Sequence, residues 1–258
     1  MKSFKSPCGD GIISEFYQLY WEAIEKDFFE VVNEVFHNFE LSNSQYNGII
    51  TLLHKGGNRD NIRNWRPITL LNTDYKIISK LLANRTKPVL RKLIHSDQKG
   101  FIEGRNISES NRMIDDIINY VDEEDQEGII VFVDQEKTYD KVEWGWVNHD
   151  LEGFNFGSKF CGRIQMLFKN AQTCIKTNGF ISKLFSLSPS ASQGRPVAPM
   201  HYILQTEPMA CAIRGTDEIK GITMPGSENV LESKICILAD DTQVFNRNEE
   251  SVEQGRYA

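Results

Sequence analysis

Two adjacent aspartates, Asp240 and Asp241, lie between two short apolar runs in the segment KICILADDTQVF (234–245). Apolar runs on both sides predict two strands with the carboxylates at the turn between them. Adjacent anions repel each other, so a site that holds both of them favours a hard cation such as Mg²⁺, which takes oxygen ligands. A second pair, Asp115 and Asp116, lies in a segment with helical periodicity, where a solvated acidic face is the better interpretation. The first pair is therefore the candidate metal site.

Asp134 is the candidate for a third carboxylate at this site. It ends the apolar run GIIVFVD (128–134), which predicts a strand buried on both faces or in the centre of a sheet. A charge at the end of such a strand either caps the next helix or binds a ligand. Asp140 fits the cap better, because DKVE (140–143) has the capping-box pattern. This leaves Asp134 for a functional role.

The remaining elements alternate between helical and strand-like patterns. Apolar residues at spacings of three and four predict helices at about 13–39, 74–93, 107–121, 159–168 and 200–214. Pro88 predicts a kink or a break in the second of these helices. Asn178 and Gly179 predict the turn of a hairpin whose first strand is 171–177.

Composition limits the class of protein. The chain has 258 residues, of which 40% are apolar and 25% are charged, which is typical of a globular protein. No apolar run approaches the roughly 20 residues of a membrane span, and the N-terminus has no signal-peptide core, so we expect an intracellular protein of the cytoplasm and/or the nucleus. Five cysteines without C-x-x-C spacing argue against a zinc site or a disulfide framework.

The charge is distributed unevenly along the chain. The net charge is −7, but residues 41–113 carry 13 Lys and Arg against 5 Asp and Glu. This is the only segment with the basic excess expected of a surface that neutralises phosphates. Within it, Lys55 precedes Gly56 and Gly57, a pattern that can cradle a phosphate but that, taken alone, fits a polar hairpin turn better.

Five segments occur in an order that is typical of one family. They are SPCGDG (6–11), NWRPITLLNTDYKIISKLLANR (64–85), HSDQKGFIEGRNI (95–107), FVDQEKTYDKVEW (132–144) and LADDTQVF (238–245). Together they resemble the reverse transcriptase domain of long interspersed (non-LTR) retrotransposons, over about residues 6–245. Several ordered motifs make this resemblance far more specific than any one of them.

The resemblance implies a mixed α+β fold, the fingers and palm of a polymerase right hand, with an antiparallel palm sheet and packing helices. The implied division is an N-terminal helical segment of the fingers (1–45), fingers (46–125), palm (126–250) and a short tail (251–258). The implied activity is RNA-directed DNA polymerisation, by two-metal nucleotidyl transfer to a primer 3′-hydroxyl. Its cofactors would be two Mg²⁺ ions, with Mn²⁺ as an alternative, and its partners an RNA template, a DNA primer and deoxynucleoside triphosphates, with no membrane.

The resemblance also implies roles for single residues near the metals. Asp134 and Asp240 would bridge both ions, and Asp241 would support the site. Tyr139 matches the aromatic position that lies under the incoming sugar and disfavours a ribose 2′-hydroxyl. By its spacing alone, Tyr139 fits a core aromatic equally well.

Other residues match positions that bind the nucleotide. Lys55 and Arg66 match fingers positions that hold the triphosphate, and the planar guanidinium of Arg66 suits phosphate oxygens. Gln193 and Gly194 match a Gln-Gly loop that contacts the nucleotide and the template. Ser192 stands where the family usually has an arginine, and Arg195 stands where it usually has Cys or Asp, which predicts an altered charge beside the expected nucleotide site.

A second interpretation follows from the end of the chain. Ala258 comes 17 residues after Asp241, so we expect a domain that is truncated after the Ala-Asp-Asp box and lacks a thumb. The alternative function is therefore a catalytically inactive retrotransposon remnant that at most binds nucleic acid through its basic segment, residues 41–113.

Overall fold

The computed structural model describes residues 5–134, 144–187, 194–225, 230–249 and 252. The chain folds as two compact units, one formed by residues 1–85 with 139–198 and the other by residues 86–138 with 199–258. The division into fingers and palm at the boundaries given above stays a prediction. Among the described residues, no helix combines the length and the apolar character that a membrane span requires.

The first unit contains a mixed sheet with helices packed beside it. Its strands are β1 (Asn47–His54), β2 (Trp65–Leu71), β4 (Gln172–Thr177), β5 (Phe180–Ile181) and β6 (Phe185–Ser186). Their order is β2-β1-β4-β5, with β6 also paired to β4. β1 is antiparallel to β2 and parallel to β4. The hairpin from β4 to β5 turns at Asn178 and Gly179, both with positive φ, as predicted.

The helices of this unit differ in two places from the expected pattern. They are α1 (Ser14–Leu19), α2 (Trp21–Asn38), α3 (Asn43–Tyr46), α6 (Trp144–Gly153), α7 (Ser158–Met166) and the first part of α4 (Thr73–Leu93). The single helix expected at 13–39 is interrupted at Tyr20, where ψ is 13°. The sequence predicts a kink or a break at Pro88. The break does not occur, because α4 continues past Pro88 to Leu93, whereas the kink stays a prediction.

The second unit contains the strands that flank the adjacent aspartates. A three-stranded sheet has the order β3-β10-β9, from β3 (Ile129–Asp134), β10 (Asp241–Asn246) and β9 (Ile235–Leu238). A separate hairpin pairs β7 (Ile222–Pro225) with β8 (Val230–Ser233). The helices are α5 (Ile107–Glu123) and α8 (Ala198–Gly215), of which Ala198 belongs to the first unit.

The side chains of β9 alternate between two hydrophobic clusters, one on each face of the sheet. Ile235 and Ile237 pack with Ala210 of α8, while Cys236 packs with Ile117 of α5. Successive side chains of a strand point to opposite faces, so this strand is buried between the two helices. Burial raises the pKa of the Cys236 thiol.

β3 is the strand for which the predicted environment was wrong. It ends at Asp134 as expected, but in the described sheet it is an edge strand paired only with β10. Phe132 is 67% exposed and Val133 is 41% exposed. A continuous apolar run does not reveal whether a second strand or helix covers each of its faces, and here the end of the strand is exposed.

Candidate functional site

The strand register places two of the three predicted carboxylates opposite each other. In the antiparallel pair of β3 and β10, Asp134 is the direct partner of Asp241. Residues opposite each other in such a pair project to the same face, with their Cβ atoms about 5 Å apart. Both aspartates are exposed. The end of β3 and the start of β10 thus present two anionic groups to one point.

The third carboxylate lies on the turn beside this pair. Leu238 pairs with Asp241, so β9 and β10 are joined by a two-residue turn of Ala239 and Asp240. Ala239 has a φ of 57°, a left-handed conformation that costs an L-residue about 1 kcal/mol. Asp240 is half-buried, in contrast to its exposed neighbour. The turn between the two apolar runs is therefore where the sequence predicted it.

The opposed pair fits a hard cation by its chemistry. Carboxylate oxygens are the ligands that Mg²⁺ takes, and like charges directly opposite in a sheet destabilise it unless a cation offsets them. In the part of the chain that the structure describes, no group of three or more His, Cys, Asp or Glu side chains is close enough to hold an ion. A set of three ligands, with Asp240 as the third, therefore stays a prediction.

A segment that sequence reasoning missed lies directly against this turn. Gln98 accepts a hydrogen bond from the Ala239 amide at 3.0 Å, and its neighbour Lys99 donates its amide to the Ile237 carbonyl at 2.7 Å. The signal was present, because the motif HSDQKGFIEGRNI contains both residues. The motif gave Gln98 no predicted role, since nothing local to residue 98 indicates contact with residue 239.

Lys55 and Arg66 lie at one end of the hairpin formed by β1 and β2. Arg66 pairs with Leu53, and Lys55 follows the last residue of β1. The Lys55 amide donates to the Asn64 carbonyl at 2.8 Å, which closes this end of the hairpin. Both side chains are exposed, and within the described part of the chain neither forms an ion pair. Two cations at the same end of a hairpin suit an anionic ligand.

Gly194 lies against β2, the strand that carries Arg66. Its φ is +125°, and a Cβ atom at this position would lie 2.4 Å from the Thr69 carbonyl oxygen. The glycine is therefore needed for the close approach of two backbone segments within the first unit, independently of any contact with a nucleotide or template.

We predict that Gly194→Ala destabilises the protein by about 2 kcal/mol, because the added methyl group forces the backbone away from β2. The control is Gly179→Ala, since Gly179 has a φ of +82° but no atom within 4 Å of the place that a Cβ atom would take. That variant should lose only about 1 kcal/mol for the left-handed backbone. Denaturant titration of both variants measures the difference, and equal losses would contradict the close-approach explanation.

Arg195 is buried in the core of the first unit. It is 4% exposed and donates hydrogen bonds to the Leu167 carbonyl and to the Tyr75 hydroxyl, the latter at 3.1 Å. Its guanidinium also lies 4.8 Å from the centre of the Phe168 ring. The charge that the sequence gains at Arg195 is therefore directed into the core of the first unit, and Ser192 lies outside the described residues.

The predicted site residues thus fall into two described groups. Asp134, Asp240 and Asp241 belong to the second unit, and Lys55, Arg66 and Gly194 belong to the first. Tyr139, Asp140 and Gln193 lie outside the described residues, so their predicted roles stay predictions.

Comparison with known proteins assigns the family. The family model described as "Reverse transcriptase (RNA-dependent DNA polymerase)" matches residues 53–257, which include all three aspartates. The chain belongs to the reverse transcriptase family. The resemblance carried by the ordered motifs is thereby confirmed.

Relatives from transposons agree with this assignment. The chain is 33% identical over 210 residues to the uncharacterized 149 kDa protein of transposon TX1 from Xenopus laevis, covering 81% of this chain and 16% of that protein. It is 23% identical to the retrovirus-related Pol polyprotein of the type-1 retrotransposable element R2 from Popillia japonica, over 77% of this chain and 27% of that protein. The chain therefore spans about a sixth to a quarter of the length of these relatives. Together with the family match, these relatives identify it as a reverse transcriptase domain of the non-LTR retrotransposon type.

Solved structures support the fold. Apo telomerase from Candida tropicalis, truncated from its C-terminal domain, matches with a TM-score of 0.57 at 12% identity, over 84% of this chain and 47% of that chain. The telomerase of the same species in complex with a fragment of telomeric RNA matches with a TM-score of 0.56 at 13% identity, over 87% of this chain and 41% of that chain. The predicted mixed fold of the polymerase right-hand class is thus confirmed.

Proposed function

We propose that this chain is an RNA-directed DNA polymerase domain that extends a DNA primer on an RNA template with deoxynucleoside triphosphates. The observation that carries the proposal is the register that sets Asp134 opposite Asp241, beside Asp240, in a chain of the reverse transcriptase family. The match to that family supports the choice of substrates. We place its action inside the cell, in the cytoplasm and/or the nucleus.

The three aspartates would hold two Mg²⁺ ions, or Mn²⁺ in their place. Such ions supply Lewis acidity at the primer 3′-hydroxyl and at the phosphate that is transferred. The protein contributes position: Asp134 and Asp241 are held by paired strands, and Asp240 is held by a two-residue turn. Backbone hydrogen bonds on both sides of β10 keep these carboxylates in a defined arrangement before any ion binds.

Lys55 and Arg66 would bind the triphosphate. Both are exposed cations at one end of a hairpin, and the planar guanidinium of Arg66 can donate two parallel hydrogen bonds to phosphate oxygens. Gly194, with Gln193 before it, would contact the nucleotide and template, and Tyr139 would lie under the incoming sugar.

Primer extension tests this proposal directly. The 258-residue chain is incubated with a labelled DNA primer on an RNA template, Mg²⁺ and all four deoxynucleoside triphosphates. We expect templated extension that stops when one complementary nucleotide is omitted. A chain that melts cooperatively but adds no nucleotide under these conditions would contradict the proposal.

A further inference from the structure

The turn that carries Asp240 is in contact with a segment outside the hairpin, residues 97–100, which we call the Gln98 segment. The Ile237 amide donates to the Asp97 carbonyl at 2.9 Å, and the Lys99 amide donates to the Ile237 carbonyl at 2.7 Å. These two bonds form a parallel bridge between Gln98 and Ile237. The segment therefore extends the sheet on the free side of β9, immediately before the turn.

The Gln98 side chain completes this contact. It is 1% exposed, and its Oε1 accepts hydrogen bonds from the Ala239 amide at 3.0 Å and from the Gly100 amide at 2.8 Å. If Oε1 and Nε2 were exchanged, the side-chain NH2, itself a donor, would face two backbone N–H donors. The two hydrogen bonds therefore fix which way the side-chain amide points. Gln98 Nε2 is buried without a hydrogen-bond partner among the described residues.

Gly100 brings the segment into direct contact with the turn. A Cβ atom at this position would lie 2.4 Å from the Ala239 nitrogen and 2.9 Å from the Ala239 Cβ. Backbone packs on backbone here, so little space remains for the turn to change its conformation.

The Gln98 segment is itself held from behind. Arg105 donates to the carbonyls of Ile94 at 2.8 Å, His95 at 2.6 Å and Gln98 at 2.7 Å. Arg214 of α8 pairs with Asp97 at 3.4 Å and also with Glu207. Two arginines thus support the contact between this segment and the turn.

We infer that Gln98 is a positioning residue for the carboxylates: it holds Ala239 in its left-handed conformation and thereby orients Asp240 and Asp241. The Ala239 amide lies in the turn, beyond the last paired residue of β9, so Gln98 supplies a partner that the strand ladder does not. This acceptor offsets the conformational cost of a left-handed alanine. The inference deepens the proposed function, and its effect on catalysis rests on that function.

The test compares Gln98→Met with Gln243→Met. Both residues are buried glutamines of the second unit, but Gln243 Oε1 has no hydrogen-bond partner in the described part of the chain. Amide hydrogen exchange is measured at Ala239 and Gly100 in metal-free protein. Gln98→Met should lower the protection of both amides about tenfold, since each loses its acceptor, whereas Gln243→Met should leave them unchanged.

Primer extension gives the second measurement. The Mg²⁺ concentration for half-maximal extension should rise about tenfold or more in Gln98→Met, as for other residues that support metal ligands, and should stay unchanged in Gln243→Met. Unchanged exchange at Ala239 in Gln98→Met overturns the inference. Changed exchange with an unchanged Mg²⁺ requirement also overturns it, because Gln98 would then be purely structural.

Gln98→Glu keeps the inference testable if the methionine variant does not fold. Glutamate retains an acceptor oxygen at the same length and replaces the NH2 group, which has no partner among the described residues, with a second oxygen. Protection at Ala239 and Gly100 should persist in this variant, and its loss in a folded protein would overturn the inference. The exchange comparison needs no activity. An inactive wild-type chain would contradict the proposed function, while the exchange at Ala239 would still decide whether Gln98 holds the turn.

Discussion

Replacing Asp240 and Asp241 together by alanine is expected to lower primer extension at least about 1000-fold. A metal ion stabilises the transition state by several kcal/mol, and under the proposed function these residues would supply two of the three carboxylates that hold it. The matched control is the same double change at Asp115 and Asp116. These two aspartates are exposed on α5 and form the only other Asp-Asp pair of the chain. That variant should keep its activity.

Thermal melts separate this catalytic effect from misfolding. Asp134 and Asp241 are like charges directly opposite each other, an arrangement that destabilises a sheet in the absence of a cation. In metal-free buffer, removing Asp241 should therefore leave the melting temperature unchanged or raise it. Equal incorporation by the wild type and the Asp240→Ala, Asp241→Ala variant would eliminate the polymerase proposal. An equal loss in the control variant would instead eliminate the special role of Asp240 and Asp241.

Arg195→Met is expected to reduce the free energy of unfolding by about 3 to 4 kcal/mol, because it removes two charge-assisted hydrogen bonds in the core. The Tyr75 hydroxyl also donates to the Leu167 carbonyl at 3.1 Å, so Arg195, Tyr75 and Leu167 form a closed, buried network. Burial raises the pKa of Tyr75, and Arg195 partly opposes this shift. Methionine fills a similar volume, but the Tyr75 hydroxyl and the Leu167 carbonyl each lose one hydrogen-bond donor.

The control for this change is Arg163→Met. Arg163 belongs to the same unit but is only half-buried, and its Nε donates to the Phe36 carbonyl at 3.5 Å. Its loss should cost less than about 1 kcal/mol. Urea titration of both variants gives the comparison. A similar small loss for both arginines would show that the buried network contributes little, and a loss of nucleotide binding by Arg195→Met at full stability would restore the expectation drawn from the sequence.

Local residue order was sufficient to predict the hairpins. Asn178 and Gly179 tolerate left-handed backbone, so their position between two strand-like runs indicated the turn that is observed. The two apolar runs around Asp240 likewise indicated β9 and β10. In both cases the turn joins neighbours in the chain, and no distant residue has to be known.

Burial and contacts between distant segments were harder to predict. The apolar run of β3 was expected to be buried, yet Phe132 is 67% exposed. The same kind of run describes a central strand and an edge strand, and only the neighbours in the sheet distinguish them. Arg195 shows the converse: its charge was expected to act beside the nucleotide site, but aromatic and carbonyl partners from elsewhere in the chain bury it.

The sequence by itself determined the family and predicted the three carboxylates, because the ordered motifs and the apolar runs around Asp134, Asp240 and Asp241 are local features of the chain. Tertiary structure alone decided that Asp134 is paired with Asp241 across the strands, and that Gln98 contacts a turn 141 residues further along the chain. Register and long-range hydrogen bonds arise from the packing of complete elements. They cannot be read from residue types or spacing within any one segment.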